Sequence, residues 1–144
     1  MSNPAKRILL VDDDPKVANL LRLALSEYEI RITTDGESAL KVAEEFQPDL
    51  FIVDLILPGM RGTTLALLLQ EKPASAEKPI FLISGLIEAP PGSQEPVRIS
   101  GLTAFRKPFS LEIIQKHVRL HLQDPEGGRA AVQELKLGRI MGEK

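Results

Sequence analysis

The feature that most constrains this chain is a set of short apolar runs without polar alternation. They are Ile8–Val11, Leu50–Val53 and Ile80–Ile83. A strand with one face in water alternates apolar and polar side chains, whereas a strand of a parallel sheet is covered on both faces and reads as continuous apolar sequence. The three runs therefore predict the central strands of a sheet that carries helices on both faces.

Helical stretches separate these runs, and two weaker strand signals complete the pattern. The predicted helices contain Val17–Leu25, Ala39–Phe46, Thr63–Gln70 and Leu111–Leu122, and the weaker strands are Tyr28–Thr33 and Thr103–Arg106. Alternating strands and helices force parallel pairing with right-handed crossovers. The predicted fold is α/β: a doubly wound five-stranded parallel sheet of flavodoxin-like strand order 2-1-3-4-5, with helices on both faces.

Two segments are less regular. Residues 85–100 should contain a helix between the fourth and fifth predicted strands, but Pro90, Pro91 and Pro96 allow only a short or displaced one. Residues 124–144 begin with the loop signal DPEGG and are only loosely periodic. We therefore assign residues 1–123 to one domain, and residues 124–144 to a C-terminal extension or the start of a linker.

Composition excludes several function classes. The chain has 144 residues, 43% of them hydrophobic, which suits one globular domain. It has no cysteine, which excludes disulfides, zinc–thiolate sites and thiol nucleophiles. A net charge of −2 gives no reason to expect nucleic-acid or membrane binding. The first apolar run is too short for a signal peptide or a membrane span, so we expect a cytoplasmic protein.

Carboxylates follow two of the apolar strands at their carboxyl ends. Asp12, Asp13 and Asp14 come after the first strand, and Asp54 comes after the third. In a doubly wound sheet, ligands bind at this edge, where the first and third strands are neighbours. Carboxylates this close repel each other unless a cation joins them. Mg²⁺, which prefers oxygen ligands and commonly accompanies phosphate, fits such a group.

A hydroxyl and an ammonium group complete the same edge. Ser84 follows the strand Ile80–Ile83, and Lys107 follows the strand Thr103–Arg106. Phosphoryl transfer depends on positioning and charge neutralisation, and an aspartate can accept the phosphoryl group as a mixed anhydride. The set therefore indicates phosphoryl transfer to a carboxylate.

Four sequence blocks, each at a strand end, resemble the response-regulator receiver family of two-component signalling. They are ILLVDDDP, PDLFIVDLILPGMRG, PIFLISG and FRKPF, and the resemblance covers residues 7–123. By resemblance, Asp54 is the phosphoacceptor. The other implied site residues are Asp12, Asp13 and the main-chain carbonyl of Ile56 as metal ligands, with Ser84 and Lys107 holding the phosphoryl oxygens.

The resemblance implies a phospho-switch and not an enzyme. A histidine kinase or phosphotransfer protein would donate the phosphoryl group in the presence of Mg²⁺. Ser84 would then move toward it and reshape the surface near residues 85–106. The resemblance does not specify which partner responds to phosphorylation: an attached output domain, a separate protein or a second phosphorylated copy of this chain. We expect no direct nucleic-acid or membrane binding by this domain.

One competing class is the haloacid-dehalogenase-type phosphatases, which also place Asp-x-Asp after a first strand. Asp12–Asp14 satisfies that motif. However, Lys16 stands where that family has Thr or Val, and Asp54 would be idle. Multi-turnover hydrolysis of small phosphate esters would identify such an enzyme.

Another competing class is the pseudo-receiver, in which the same fold serves only as a binding module. The receiver family usually has an aromatic switch residue three positions before the lysine, where this chain has Ala104; Phe105 lies two before Lys107. Either a residue is missing from the preceding loop or the aromatic switch is lost. Uptake of beryllofluoride or acetyl phosphate would separate the two classes.

Some candidate residues have structural explanations. Asp14 precedes Pro15, so it can serve as the N-cap of a helix. His117 and His121 have metal-ligand spacing, but no third ligand is evident, so we expect a solvated helix face. The leucines of TTLALLLQ are expected in the core or on a partner surface.

Overall fold

The computed structural model describes residues 5–87 and 95–122. Their elements are β1 (Arg7–Val11), α1 (Pro15–Ala24), β2 (Glu29–Thr33), α2 (Gly36–Phe46), β3 (Leu50–Asp54), β4 (Ile56–Leu57), β5 (Met60–Arg61), α3 (Gly62–Glu71), β6 (Ile80–Ser84), β7 (Val97–Ile99), β8 (Leu102–Arg106) and α4 (Leu111–Leu122). None of the described helices is long and apolar enough to cross a membrane. The predicted extension, residues 124–144, lies outside the described residues.

Six strands form the main sheet in the order β2-β1-β3-β6-β8-β7, and the first five are parallel. The predicted fold class and the strand order 2-1-3-4-5 are confirmed. Val11 of β1 pairs with Val53 of β3. Asp12 and Asp54, the next residues along the two strands, therefore lie at the same edge of the sheet.

The sixth strand was not predicted. β7 lies in the segment 85–100, where the sequence favoured a short or displaced helix, and it pairs antiparallel with β8. Ser100 and Gly101 connect the two strands with φ values of 51° and 80°. Such left-handed backbone at both central residues is typical of a two-residue hairpin turn. Residues 95–101 contain no helix, and residues 88–94 lie outside the described part of the chain.

Helices cover both faces of the sheet, which explains the continuous apolar strands. One core cluster joins α1 and α4 to the sheet, and a second joins α2 and α3 to its other face. Every residue of β3 and β6 is buried. On α1, Ala18 and Leu21 are buried, whereas Leu20 is 50% exposed.

The prediction of a solvated face for the α4 histidines is wrong for His117. This residue is buried, and its ring lies edge-on to Phe105 with centroids 5.5 Å apart. His121 is partly buried and packs edge-on against Phe81 at 5.1 Å. Both rings lie on the side of α4 that covers the sheet, so packing on phenylalanine replaces hydration. Burial, reinforced by the neighbouring His121, lowers the pKa of His117.

Candidate functional site

Three carboxylates meet where β1 and β3 end. Asp12, Asp13 and Asp54 each offer an oxygen, and these oxygens all lie within 4.8 Å of one another. Asp12 and Asp54 are buried, whereas Asp13 is exposed. Ligands on opposite sides of a Mg²⁺ ion are about 4 Å apart, because each Mg–O distance is about 2 Å. The cluster is therefore capable of binding a metal ion.

Lys107 brings a cation to this cluster. Its Nζ donates hydrogen bonds to Asp54 Oδ2 at 2.7 Å and to Asp12 Oδ2 at 3.0 Å. Burial by itself lowers the pKa of Lys107, but the hydrogen bonds to Asp54 and Asp12 outweigh it, and the pKa is raised. The ammonium therefore stays charged at neutral pH and offsets part of the acidic cluster.

Asp12 is the most deeply buried of the three carboxylates. Burial raises its pKa, while the backbone N–H of Asp14 and the Lys107 ammonium oppose that change. The N–H of Asp14 donates to Asp12 Oδ1 at 2.8 Å. Since a buried carboxylate loses hydration, further positive charge near Asp12 would be stabilising.

Asp54 is held by the loop that follows it. Its Oδ1 accepts a hydrogen bond from the N–H of Ile56 at 2.9 Å. Gly62 closes the loop by donating its N–H to Leu55 O at 2.7 Å. A Cβ at Gly62 would lie only 2.3 Å from Asp54 O, so only glycine allows this approach. A role for Gly62 was not predicted from the sequence, although the second glycine of PGMRG is a usable signal.

Ser84 lies at the end of β6, beside this site. It is buried, and its Oγ accepts a hydrogen bond from the N–H of Leu86 at 3.0 Å. A hydroxyl that accepts this bond keeps its own hydrogen for a second partner. The N–H of Lys107 donates to Ser84 O at 2.8 Å, which ties the ends of β6 and β8 together.

Asp14 caps helix α1 and is not part of the carboxylate cluster. Its Oδ1 accepts from the N–H of Lys16 at 2.9 Å, which caps α1 as predicted. Asp14 is not in the carboxylate cluster, which among the described residues contains Asp12, Asp13 and Asp54. The Asp-x-Asp pattern of the phosphatase alternative therefore lacks its second carboxylate at this site.

The position expected for an aromatic switch residue holds Ala104. In β8, Ala104 faces the cluster with α2 and α3, while Phe105 faces the cluster with α1 and α4. Neighbouring residues of a strand point to opposite faces. Phe105 therefore cannot take the place of the aromatic residue, and the aromatic switch is absent from β8.

Comparison with known proteins gives the family. Residues 8–119 match the family described as response regulator receiver domain. The chain belongs to this family. Membership of this family confirms the prediction that the domain is a signalling module and not an enzyme. It argues against the phosphatase alternative.

Two curated relatives show the settings in which similar receiver domains occur. The receiver domain is 30% identical over 124 residues to the DNA-binding dual master transcriptional regulator RpaA of Synechocystis sp.. This match covers 81% of this chain and 49% of RpaA. It is 32% identical over 133 residues to the sensor histidine kinase TmoS of Ectopseudomonas mendocina, covering 90% of this chain and 13% of TmoS. The chain thus spans about half or less of these relatives.

A solved structure agrees with the fold. The signal receiver domain of a signal transduction histidine kinase from Syntrophus aciditrophicus superposes with a TM-score of 0.68. The two chains are 26% identical, and the match covers 85% of this chain and 93% of the other.

Proposed function

We propose that Asp54 accepts a phosphoryl group from the phosphohistidine of a histidine kinase or phosphotransfer protein. An oxygen of the Asp54 carboxylate forms the bond to phosphorus, the phosphorus–nitrogen bond breaks, and the leaving imidazole takes the electron pair. The observation that carries this proposal is the Lys107 ammonium 2.7 Å from Asp54, within a cluster of three carboxylates.

The reaction requires Mg²⁺ in this proposal. The ligands would be Asp12, Asp13, Asp54 and the main-chain carbonyl of Ile56. The ion, when bound, neutralises charge on the phosphoryl oxygens and on the carboxylates. Lys107 lies next to the acceptor and would bind a phosphoryl oxygen, while the free hydrogen of the Ser84 hydroxyl would be donated to another.

Phosphorylation would be transmitted through Ser84. Its Oγ already accepts a hydrogen bond from the N–H of Leu86, so movement of Ser84 toward the phosphoryl group would displace residues 85–87, which follow β6. Because β8 has Ala104 where an aromatic residue was expected, the proposed switch acts through residues 85–87. The surface near residues 85–106 is the proposed interaction surface.

The setting of the receiver domain is also a proposal. We assign residues 1–123 to the receiver domain, residues 124–144 to an extension or linker, and the protein to the cytoplasm. Its kinase partner follows from the family, and its output is an attached domain, a separate protein or a second copy. The relatives include a regulator named as DNA-binding and a sensor histidine kinase, so both kinds of longer protein support the proposal.

The test is phosphorylation by acetyl phosphate with Mg²⁺. Wild type should incorporate phosphate that hydroxylamine releases, and Asp54→Asn should incorporate none while keeping its circular dichroism spectrum. Asp14→Asn is the matched control, because asparagine caps a helix as well as aspartate does. Equal labelling of Asp54→Asn and wild type would refute the assignment. Lack of both labelling and beryllofluoride uptake in wild type would favour the pseudo-receiver.

A further inference from the structure

Two glycines lie where the hairpin formed by β4 and β5, which follows Asp54, adjoins the rest of the fold. Gly62 packs on Asp54, as described above. At the other contact, Met60 lies against Gly36, the first residue of α2. A Cβ added at Gly36 would be 2.6 Å from Met60 Sδ and 3.1 Å from its Cε. The methionine side chain therefore lies directly on the helix backbone, and a Cβ at position 36 would displace it.

The pairing within the hairpin explains why Met60 makes this contact. Leu57 pairs with Met60, and Ile56 pairs with Arg61. Leu57 is buried and Met60 packs against the same core cluster, whereas Ile56 and Arg61 are exposed. The Leu57–Met60 pair thus faces inward, and Met60 joins that inward face to α2.

The N-terminus of α2 is a firm anchor for this contact. Asp35 caps the helix, and its carboxylate accepts hydrogen bonds from the N–H of Ser38 at 2.8 Å and from its hydroxyl at 3.0 Å. The Met60 side chain therefore packs against a helix end that is fixed by its cap, while the Met60 backbone is fixed by its pairing with Leu57.

We infer that Met60 and Gly36 are positioning residues for the phosphorylation site. Their contact fixes the orientation of the hairpin. The hairpin in turn places the Ile56 N–H on the Asp54 carboxylate, 2.9 Å away. The same orientation places the Ile56 carbonyl for the metal, a part of the inference that rests on the proposed function.

The substitution Gly36→Ala tests this contact without changing any proposed ligand. An added Cβ would lie 2.6 Å from Met60 Sδ and 3.2 Å from Met60 Cβ, so the Met60 side chain must shift and its packing against α2 must change. We expect Mg²⁺ affinity to fall about tenfold, as is typical when a group that orients metal ligands is changed. We also expect faster hydrogen exchange of the Ile56 amide in metal-free protein.

Three further variants separate positioning from a general loss of stability. Ala43→Gly lies on the same helix about two turns after Gly36, is buried, and should destabilise the helix by about 1 kcal/mol. In a Met60→Ala background, Gly36→Ala should have a smaller effect, because the side chain that it displaces is gone. Met60→Ala by itself should also speed Ile56 exchange, which keeps the test valid if Gly36→Ala does not fold.

The measurements are Mg²⁺ titrations and amide exchange followed by NMR in wild type and all four variants. The inference is overturned if Gly36→Ala and Met60→Ala match Ala43→Gly in Ile56 exchange, or if the two substitutions at the contact are additive. A wild type without any Mg²⁺-dependent shift would refute the proposed function. The exchange rate of the metal-free protein would still decide whether the contact positions the hairpin.

Discussion

Lys107 Nζ lies 2.7 Å from Asp54 Oδ2, although the two residues are 53 positions apart in the sequence. The contact exists because β3, β6 and β8 are neighbours and end at the same edge. The same ammonium reaches Asp12 at 3.0 Å. The receiver domain thus supplies internally some of the positive charge that a metal ion would bring to the carboxylates.

Removing that ammonium should make the protein more dependent on a metal ion. Lys107→Met leaves the carboxylates of Asp12 and Asp54 without a cation, and we expect the free energy of unfolding without metal to fall by about 2 kcal/mol. Added Mg²⁺ should then stabilise this variant more than wild type. Urea unfolding with and without Mg²⁺ measures both effects.

The matched control is Lys72→Met, because Lys72 pairs with Glu44 at 3.1 Å on the surface. Exposed pairs contribute little, so this variant should respond to Mg²⁺ as wild type does. If Mg²⁺ raised the free energy of unfolding equally in both lysine variants, Lys107 would not neutralise the carboxylates in the way that the metal ion does.

Asp13 and Asp14 should separate metal binding from helix capping. Asp13→Ala removes an exposed carboxylate of the cluster, so Mg²⁺ affinity should fall while the free energy of unfolding of the metal-free protein changes little. Asp14→Ala removes the cap of α1, so stability should fall by about 1 kcal/mol while Mg²⁺ affinity is retained. Mg²⁺ titration and urea unfolding of both variants decide this, and equal losses of affinity would contradict the structure.

Stability should fall with acidification because of His117. Burial, followed by the charge of His121, lowers its pKa below the ordinary value of 6.5, so the unfolded chain binds a proton more readily than the folded one. The stability that neutral His117 contributes is complete above pH 6.5 and is lost as the pH falls through the lowered pKa. Of the nearby charges, Lys116 acts in the same direction and Glu95 opposes it.

The variant His117→Phe removes this titration and keeps an aromatic ring against Phe105. Urea unfolding at pH 7.5 and 5.5 should show a smaller loss of stability in the variant than in wild type. Because other titrating groups are common to both proteins, the difference reports on His117. The same loss in both proteins would refute the prediction.

The phosphorylated form should be long-lived. Ile56 and Leu86 follow the proposed acceptor and Ser84 by two residues, and they are 46% and 71% exposed. Neither side chain can hydrogen-bond a water molecule that attacks the acyl phosphate, and both can shield it. The double variant Ile56→Asn and Leu86→Glu should lose phosphate about tenfold faster, or about 1.4 kcal/mol in barrier. The rate of phosphate release at fixed Mg²⁺ concentration measures this. An unchanged rate in the double variant would show that these two side chains do not control the access of the attacking water.

The strands and the approximate site were predictable because they depend on local sequence, and the strand order followed from the connectivity of doubly wound sheets. Continuous apolar runs identify strands that are covered on both faces, and a polar residue directly after such a run must lie at the sheet edge. This reasoning placed Asp12, Asp54 and Lys107 correctly. The Asp14 cap was equally local, since an N-cap is determined by a residue and the helix that begins beside it.

The strand β7 shows where local reasoning failed. Three prolines in the segment 85–100 argued only against a helix. The turn residues Ser100 and Gly101, flanked by Val97 and Ile99, carried the positive signal for a hairpin. A helix is the usual connection between two parallel strands, so a helix and not a hairpin was expected there.

The sequence by itself determined a doubly wound parallel sheet with carboxylates, a hydroxyl and an ammonium at one edge, because periodicity and strand ends are properties of neighbouring residues. Only the tertiary structure decided that Lys107 bridges Asp12 and Asp54, that His117 is buried on Phe105, and that Met60 rests on Gly36. These contacts join residues that are distant in the sequence. They depend on how helices and hairpins pack on the sheet, at separations of a few ångströms that no sequence period encodes.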